Sequence, residues 1–155
     1  MTNEGVGARS YARPMVTFED VARLALALPE TEERTSWGNL TWAVRSGGKA
    51  KPKGFVWERP LSQKDRASLA AEGADVPPNE VILGVRVDGL AEKEAVLAAN
   101  PETIFTTPHF NGYPAVLLRL DRADEQLLQE IITDAWLAVA PKKLAAQFTA
   151  ETTDS

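Results

Sequence analysis

The chain has 155 residues, 44% of them hydrophobic, so it is long enough to bury a core as a single domain. Its 17 basic and 22 acidic residues give a net charge of −5, which argues against a protein that coats nucleic acids non-specifically. The absence of cysteine excludes disulfides, thiolate metal sites and cysteine nucleophiles. No apolar segment approaches the roughly 20 residues that cross a membrane, and residues 1–14 lack the apolar core of a signal peptide, so a cytoplasmic protein is expected.

A helix and a β-hairpin are predicted in the first third of the chain. Thr17 is a good N-cap with an acidic residue three positions on, and apolar residues at helical spacing predict a helix over residues 18–27. Residues 30–39 are acidic and polar and show no strand pattern. Residues 40–45 and 54–58 favour β-structure, and the Ser-Gly-Gly sequence after the first of them indicates the turn of a hairpin.

The middle of the chain predicts further strands separated by helices. A capping-box signal opens a short helix over residues 62–71, and residues 81–88 alternate as a third strand. A helix over residues 90–99 follows. Residues 104–107 form a short fourth strand, and residues 115–120 alternate as the fifth.

The last third of the chain is predicted to be helical. An apolar stripe indicates a helix over residues 124–139, and Pro141 suits the first position of a final helix. The polar tail, residues 149–155, is expected to be flexible, and the N-terminal extension, residues 1–14, is expected to be disordered. Residues 15–148 are therefore predicted to form one domain.

The segment between the last two strands carries the single histidine, His109, and the single Asn-Gly pair of the chain. Asn111 and Gly112 predict the centre of a type I′ turn, because both central positions of that turn need positive φ. Phe110 and Tyr113 are then expected to face each other across an exposed turn.

This segment resembles the Thr-Pro-His-[Tyr/Phe]-x-Gly-[Tyr/His]-Pro motif of the MmcQ/YjbR family of small bacterial proteins. Its matching residues are Thr107, Pro108, His109, Phe110, Gly112, Tyr113 and Pro114. Supporting matches are Trp37-Gly38, Thr41-Trp42, Val44, Ala135-Trp136 and the run from Ala140 to Leu144. We refer to residues 107–114 as the motif loop.

The resemblance implies a two-layer α+β fold. It implies an antiparallel five-stranded sheet backed by helices in the order α-β3-α-β2-α, with a short helix inserted before the third strand. This arrangement is similar to double-wing and secretion-chaperone-like folds. The family is described as DNA-binding, so the resemblance also implies duplex DNA as a partner. Residues 59–79 form a longer segment than a minimal member needs, so the surface beside the third strand is expected to differ.

Positive charge is concentrated between residues 45 and 66, where seven basic side chains stand against two acidic ones. Lysine and arginine side chains that contact phosphates fix the position of a protein on DNA without reading its sequence. The alternative interpretation is a charged hairpin that serves solubility and protects a sheet edge. The candidate nucleic-acid-binding residues are Arg45, Lys49, Lys51, Lys53 and Arg59.

His109 has two interpretations: a polar, stacking group on an exposed loop, or a residue that hydrogen-bonds the loop backbone. A catalytic triad would need an activated serine beside it, and the chain has no nucleophile elbow. A zinc site would need several histidine or cysteine ligands. No enzymatic activity, metal or cofactor is therefore predicted.

Two functions follow from these patterns. The first is a non-enzymatic protein that binds duplex DNA through the basic hairpin, and the segregation of charge favours it. The alternative is a protein-interaction or adaptor module whose sheet face or edge strand meets a protein partner or a second copy, and the acidic total charge favours it. Neither function involves a membrane.

Overall fold

The computed structural model describes residues 16–154. The N-terminal extension of residues 1–14, expected to be disordered, lies outside the described residues. The strands are Thr31–Ser36 (β1), Asn39–Val44 (β2), Lys53–Glu58 (β3), Ile82–Arg86 (β4), Ile104–Phe105 (β5) and Ala115–Arg119 (β6). The helices are Phe18–Leu26 (α1), Gln63–Ala71 (α2), Leu90–Ala99 (α3), Glu125–Val139 (α4) and Lys142–Asp154 (α5).

The strands form one antiparallel sheet in the order β1-β2-β3-β4-β6-β5. The α+β class and the antiparallel sheet were predicted correctly. The predicted number of five strands is wrong, because residues 31–36 form a sixth strand at the sheet edge.

Strand β1 escapes sequence patterns because it is almost entirely polar. It pairs with β2 over its full length, from Thr31 opposite Val44 to Ser36 opposite Asn39. The two residues between these strands both have positive φ, with Trp37 at 53° and Gly38 at 80°. Two positive φ values match the right-handed twist of a tight hairpin, so the turn and the backbone pairing define this strand without an apolar face.

The main core lies between one face of the sheet, which we call the helix face, and helices α1 and α4. Leu83, Val85 and Val116 point from the sheet into this core. Trp136 of α4 is 0% exposed, and its indole N–H donates to the carbonyl of Pro29 at 3.0 Å. Asp124 caps α4 by accepting from the N–H of Leu127 at 2.8 Å. The apolar stripe of this helix therefore packs across the sheet.

The opposite face, which we call the outer face, is covered only in part. Helix α2 and the motif loop pack on β4 and β6. Helices therefore lie on both faces of the sheet, whereas the expected two-layer fold has them on one face. This second cluster consists of Leu61, Leu69, Ile82, Phe110, Ala115 and Leu117. On the same face of β3, the indole of Trp57 lies against Gly84, where an added Cβ would come within 2.4 Å of its ring atoms.

Element boundaries differ from the predictions mainly near prolines and at the C-terminus. β5 ends at Phe105, because the chain turns into a short 3-10 helix at Pro108–Phe110. Helix α5 continues to Asp154, so the tail that was expected to be flexible from Thr149 is helical along most of its length.

Candidate functional site

Three of the five predicted nucleic-acid-binding residues lie together at the end of the β2–β3 hairpin. Lys49, Lys51 and Lys53 are exposed, and within residues 16–154 none of them forms an ion pair. The turn before them contains two glycines with positive φ, of 82° and 59°. We call these three residues the lysine tip. Its ammonium groups are free to meet phosphates or solvent.

The two arginines of the predicted set lie elsewhere. Arg45 pairs with Glu30 at 3.3 Å and with Glu32 at 3.5 Å, because the acidic strand β1 runs beside it. Arg59 follows the opposite end of β3 and pairs with Asp65 at 3.3 Å. The positive charge counted along the sequence is therefore partly neutralised in space, and the five residues do not form one patch.

The motif loop is built around a turn that differs from the predicted type. Gly112 has the expected positive φ of 77°, but Asn111 has φ −60° and ψ 130°. These angles, with a 3.0 Å hydrogen bond from the Tyr113 N–H to the Phe110 carbonyl, define a type II turn rather than type I′. The rings of Phe110 and Tyr113 meet edge to face at 6.0 Å between centroids.

Lys93 of α3 binds the backbone of this turn. This residue was not identified from the sequence. Its side chain is buried, with 7% of the residue exposed, and Nζ donates to the carbonyls of Phe110 at 2.5 Å and Tyr113 at 2.8 Å. Burial lowers the pKa of Lys93. The sequence does contain a signal for this burial. Lys93 lies three residues before Val96 and four before Leu97, so it shares the apolar face of the helix with them.

Asp65 ties helix α2 to the motif loop. It is buried and lies at N3 of the helix in a capping box with Ser62. Burial raises the pKa of Asp65, but the hydrogen bonds from Ser62, the charge of Arg59 and the hydroxyl of Thr107 outweigh it, so the pKa lies below its ordinary value. Thr107 Oγ1 is buried and has no hydrogen bond of normal geometry within residues 16–154, although its hydroxyl helps to lower the pKa of Asp65.

Cations and aromatic rings alternate along the outer face. The guanidinium of Arg59 lies 5.3 Å from the ring centroid of Phe110, and that of Arg86 lies 5.7 Å from the centroid of Tyr113. Nε of Arg86 is buried without a hydrogen-bond partner. Such cation–π contacts hold the guanidinium groups in place.

Trp37 marks one end of a groove on the outer face. The groove has a volume of about 250 Å³ and is lined by Ser36, Trp37, Asn39, Thr41, Trp57, Glu58, Arg59 and Pro60. Trp37 is 98% exposed, so its side chain lies at the surface. Two indoles and one guanidinium therefore border the groove.

A second groove places His109 beside helix α2. It measures about 180 Å³ and is lined by Ser62, Lys64, Asp65, Ser68, Pro108 and His109. The ion pair between Arg59 and Asp65 joins the two grooves. His109 is exposed and its ring lies 5.8 Å from that of Phe110, so the interpretation as an accessible polar group agrees with its position. Trp37 and His109, far apart in sequence, line two separate grooves.

The helix face carries a separate pocket of about 280 Å³ between β4, α3 and α4. Its floor is apolar, and its rim includes Glu92 and Asp134. Burial, Glu92 and Glu130 together raise the pKa of Asp134. Across residues 16–154 there is no group of three or more side chains placed to hold a metal ion, and none of the helices described there is long and apolar enough to cross a membrane.

The six-stranded antiparallel sheet, with α1 and α4 on one face and the motif loop on the other, defines a class of small α+β proteins. The chain belongs to the YjbR family, whose sequence profile matches residues 26–138. The resemblance inferred from the motif loop is thereby confirmed.

Two mycobacterial proteins are similar to this chain over most of its length. The uncharacterized proteins Mb2600 of Mycobacterium bovis and Rv2570 of Mycobacterium tuberculosis are each 44% identical to it over 136 residues, covering 88% of this chain and 98% of each relative. The crystal structure of Deinococcus radiodurans protein DR2400, which has a DUF419 domain, matches with a TM-score of 0.59 at 22% identity. That match covers 84% of this chain and 83% of the other, and it establishes a likeness of fold.

Proposed function

We propose that this protein binds nucleic acid without catalysing a reaction, and that the lysine tip supplies its contacts with phosphates. The observation that supports this proposal is that Lys49, Lys51 and Lys53 are exposed and clustered on one turn. None of them forms an ion pair within the described residues. Because Arg45 and Arg59 are engaged in ion pairs, the proposal assigns the phosphate contacts to the three lysines alone.

Such an interface predicts weak binding that depends strongly on salt. Each phosphate contact releases counterions and contributes about 0.9 to the slope of log affinity against log salt. Three lysines therefore predict a slope of roughly −2 to −3 on duplex DNA. The acidic remainder of the chain opposes association, so affinity at physiological salt is expected to be low.

The test is a titration of labelled duplex DNA with wild type and with Lys49→Glu/Lys51→Glu/Lys53→Glu at low and physiological salt. The triple variant is expected to lose most low-salt binding and to flatten the salt slope by about 2–3. The matched control reverses three acidic residues instead, Glu92→Lys, Glu94→Lys and Glu102→Lys, and should bind as well as wild type or slightly better. Equal binding by wild type and the lysine variant would refute the assignment.

A second candidate function is an adaptor that associates through the outer edge of β1, which pairs with no further strand within residues 16–154. Glu30, which precedes the strand, accepts a hydrogen bond from the Arg45 N–H, and by alternation Thr31, Glu33 and Thr35 direct their backbone groups away from β2. An unpaired strand edge is a template for a strand of a second copy. Sedimentation velocity over a concentration series tests this function. Thr35→Pro, but not Thr35→Val, should abolish a dimer, and a wild type that stays monomeric throughout rejects it.

A further inference from the structure

We propose that the outer face between the lysine tip and Trp37 is a stacking surface for the unpaired bases of single-stranded nucleic acid. The inference rests on the nucleic-acid partner proposed above and names the form of nucleic acid that the surface takes. It assigns contacts with the bases to Trp37 and Trp57, which lie outside the lysine tip.

The strongest observation is the exposure and backbone conformation of Trp37. Its side chain is 98% exposed, so burial in this protein does not account for a tryptophan there. Its φ of 53° is a left-handed conformation that bulky residues rarely adopt, so backbone preference disfavours a tryptophan as well. A residue that neither packing nor local conformation explains is well placed for contact with another molecule.

The surroundings of Trp37 extend this feature into a surface. Strand β3 begins at the lysine tip and ends beside Trp37, and its six residues span about 20 Å. Trp57 lies near its far end, flat against Gly84 and lining the same groove as Trp37. Ala43 and Gly54, which face each other on β2 and β3 between the two ends, are small, and Ala43 is 3% exposed.

The positive charge available to a polyanion lies at the lysine tip. Arg59 lines the groove but pairs with Asp65 at 3.3 Å, so the exposed lysines at the other end of β3 are the cations that a strand can reach. Of the nearby carboxylates, Glu32 pairs with Arg34 at 3.6 Å, and Glu58 of the groove lining accepts from the neutral Leu40 N–H at 2.6 Å. Aromatic faces combined with cations that follow the backbone are the recurring means of binding single strands, whereas the bases of a duplex are stacked inside and closed to indoles.

The experiment compares a labelled oligothymidylate of about 12 nucleotides with a duplex of the same length, at one low salt concentration. Trp37→Ala is expected to weaken binding of the single strand at least about fivefold and to leave duplex binding within about twofold. Trp37→Asn serves as a second variant, because asparagine tolerates the left-handed conformation and keeps the turn. Leu90→Ala, at a half-exposed apolar position on α3, is the matched control and should change neither affinity.

The outcomes separate this inference from the proposed function. One outcome refutes the stacking surface alone. In it, the lysine variant loses duplex binding, but neither Trp37→Ala nor Trp37→Asn changes binding of the single strand. Single-strand binding that depends on Trp37 but not on the lysines supports the stacking surface and refutes the lysine tip. No binding of either probe refutes both. If the Trp37 variants change only the sedimentation of the protein, this face meets a second copy and the stacking surface is refuted.

Discussion

Lys93 donates from Nζ to the carbonyl of Phe110 at 2.5 Å, and thereby joins helix α3 to a turn 17 residues further along the chain. The same nitrogen donates to the carbonyl of Tyr113 at 2.8 Å, so one ammonium group bridges both ends of the type II turn. The motif loop is therefore held by a buried cation as well as by its own backbone. This contact fixes where Phe110 and Tyr113 meet the arginines of the outer face.

Replacing Lys93 by methionine keeps an unbranched side chain one atom shorter and removes both hydrogen bonds. Hydrogen bonds to charged groups contribute about 1.5–3 kcal/mol, and some of that is recovered because no charge has to be buried. We expect a loss of about 1–3 kcal/mol in the free energy of unfolding in urea, with faster hydrogen exchange at residues 110–113. Lys142→Met, on the exposed side of α5, is the control. Unchanged exchange in the loop would contradict the anchoring role.

Asp65→Asn is expected to destabilise the protein in a way that depends on pH. The pKa of Asp65 is lowered on folding, so its carboxylate stabilises the folded state fully above the ordinary pKa of 3.8 and progressively less as the pH falls through the folded-state pKa. At pH 7 the substitution should cost about 2–3 kcal/mol, because it removes charge-assisted hydrogen bonds in a buried site. Below pH 3.8 the difference from wild type should shrink. Urea denaturation at pH 7 and pH 3 measures both values, and a difference that does not vary with pH contradicts the assignment.

Gly112→Val tests the backbone of the motif loop without a steric clash. No atom lies within 4 Å of a Cβ built at Gly112, so the cost comes from its φ of 77°. A β-branched residue in that conformation should cost about 1–3 kcal/mol. Gly112→Asn should cost less, because asparagine tolerates the left-handed region. Equal losses of unfolding free energy for the two variants would show that strain is not the cause.

Two tryptophans offer a comparison within one chain. Trp136 is fully buried and contacts Phe148 at 5.0 Å between ring centroids, so Trp136→Ala should cost about 3–5 kcal/mol. Trp37→Ala should change the free energy of unfolding by no more than about 0.5 kcal/mol, because its side chain packs against almost nothing. Chemical denaturation of both variants decides the point, and similar costs would mean that Trp37 also has a structural role.

Local signals in the sequence were sufficient to predict those elements whose structure depends on residues close together in the chain. The Thr17 and Ser62 caps mark the starts of α1 and α2, because a capping box satisfies backbone donors within four residues. The apolar stripe of α4 identified its buried face for the same reason. The motif loop was recognised from consecutive residues, and the positive φ of Gly112 followed from its Asn-Gly sequence.

The tertiary structure decided what depends on neighbours distant in the sequence. Strand β1 has no apolar alternation and exists because β2 supplies its backbone partners. The same pairing brings Glu30 and Glu32 beside Arg45 and divides the positive charge that the sequence shows as one cluster. The burial of Lys93 and the groove that Trp37 shares with Trp57 likewise arise from segments that meet only in the fold. A linear pattern records each residue's own preference, whereas these features depend on which groups the folded chain places within a few ångströms of one another.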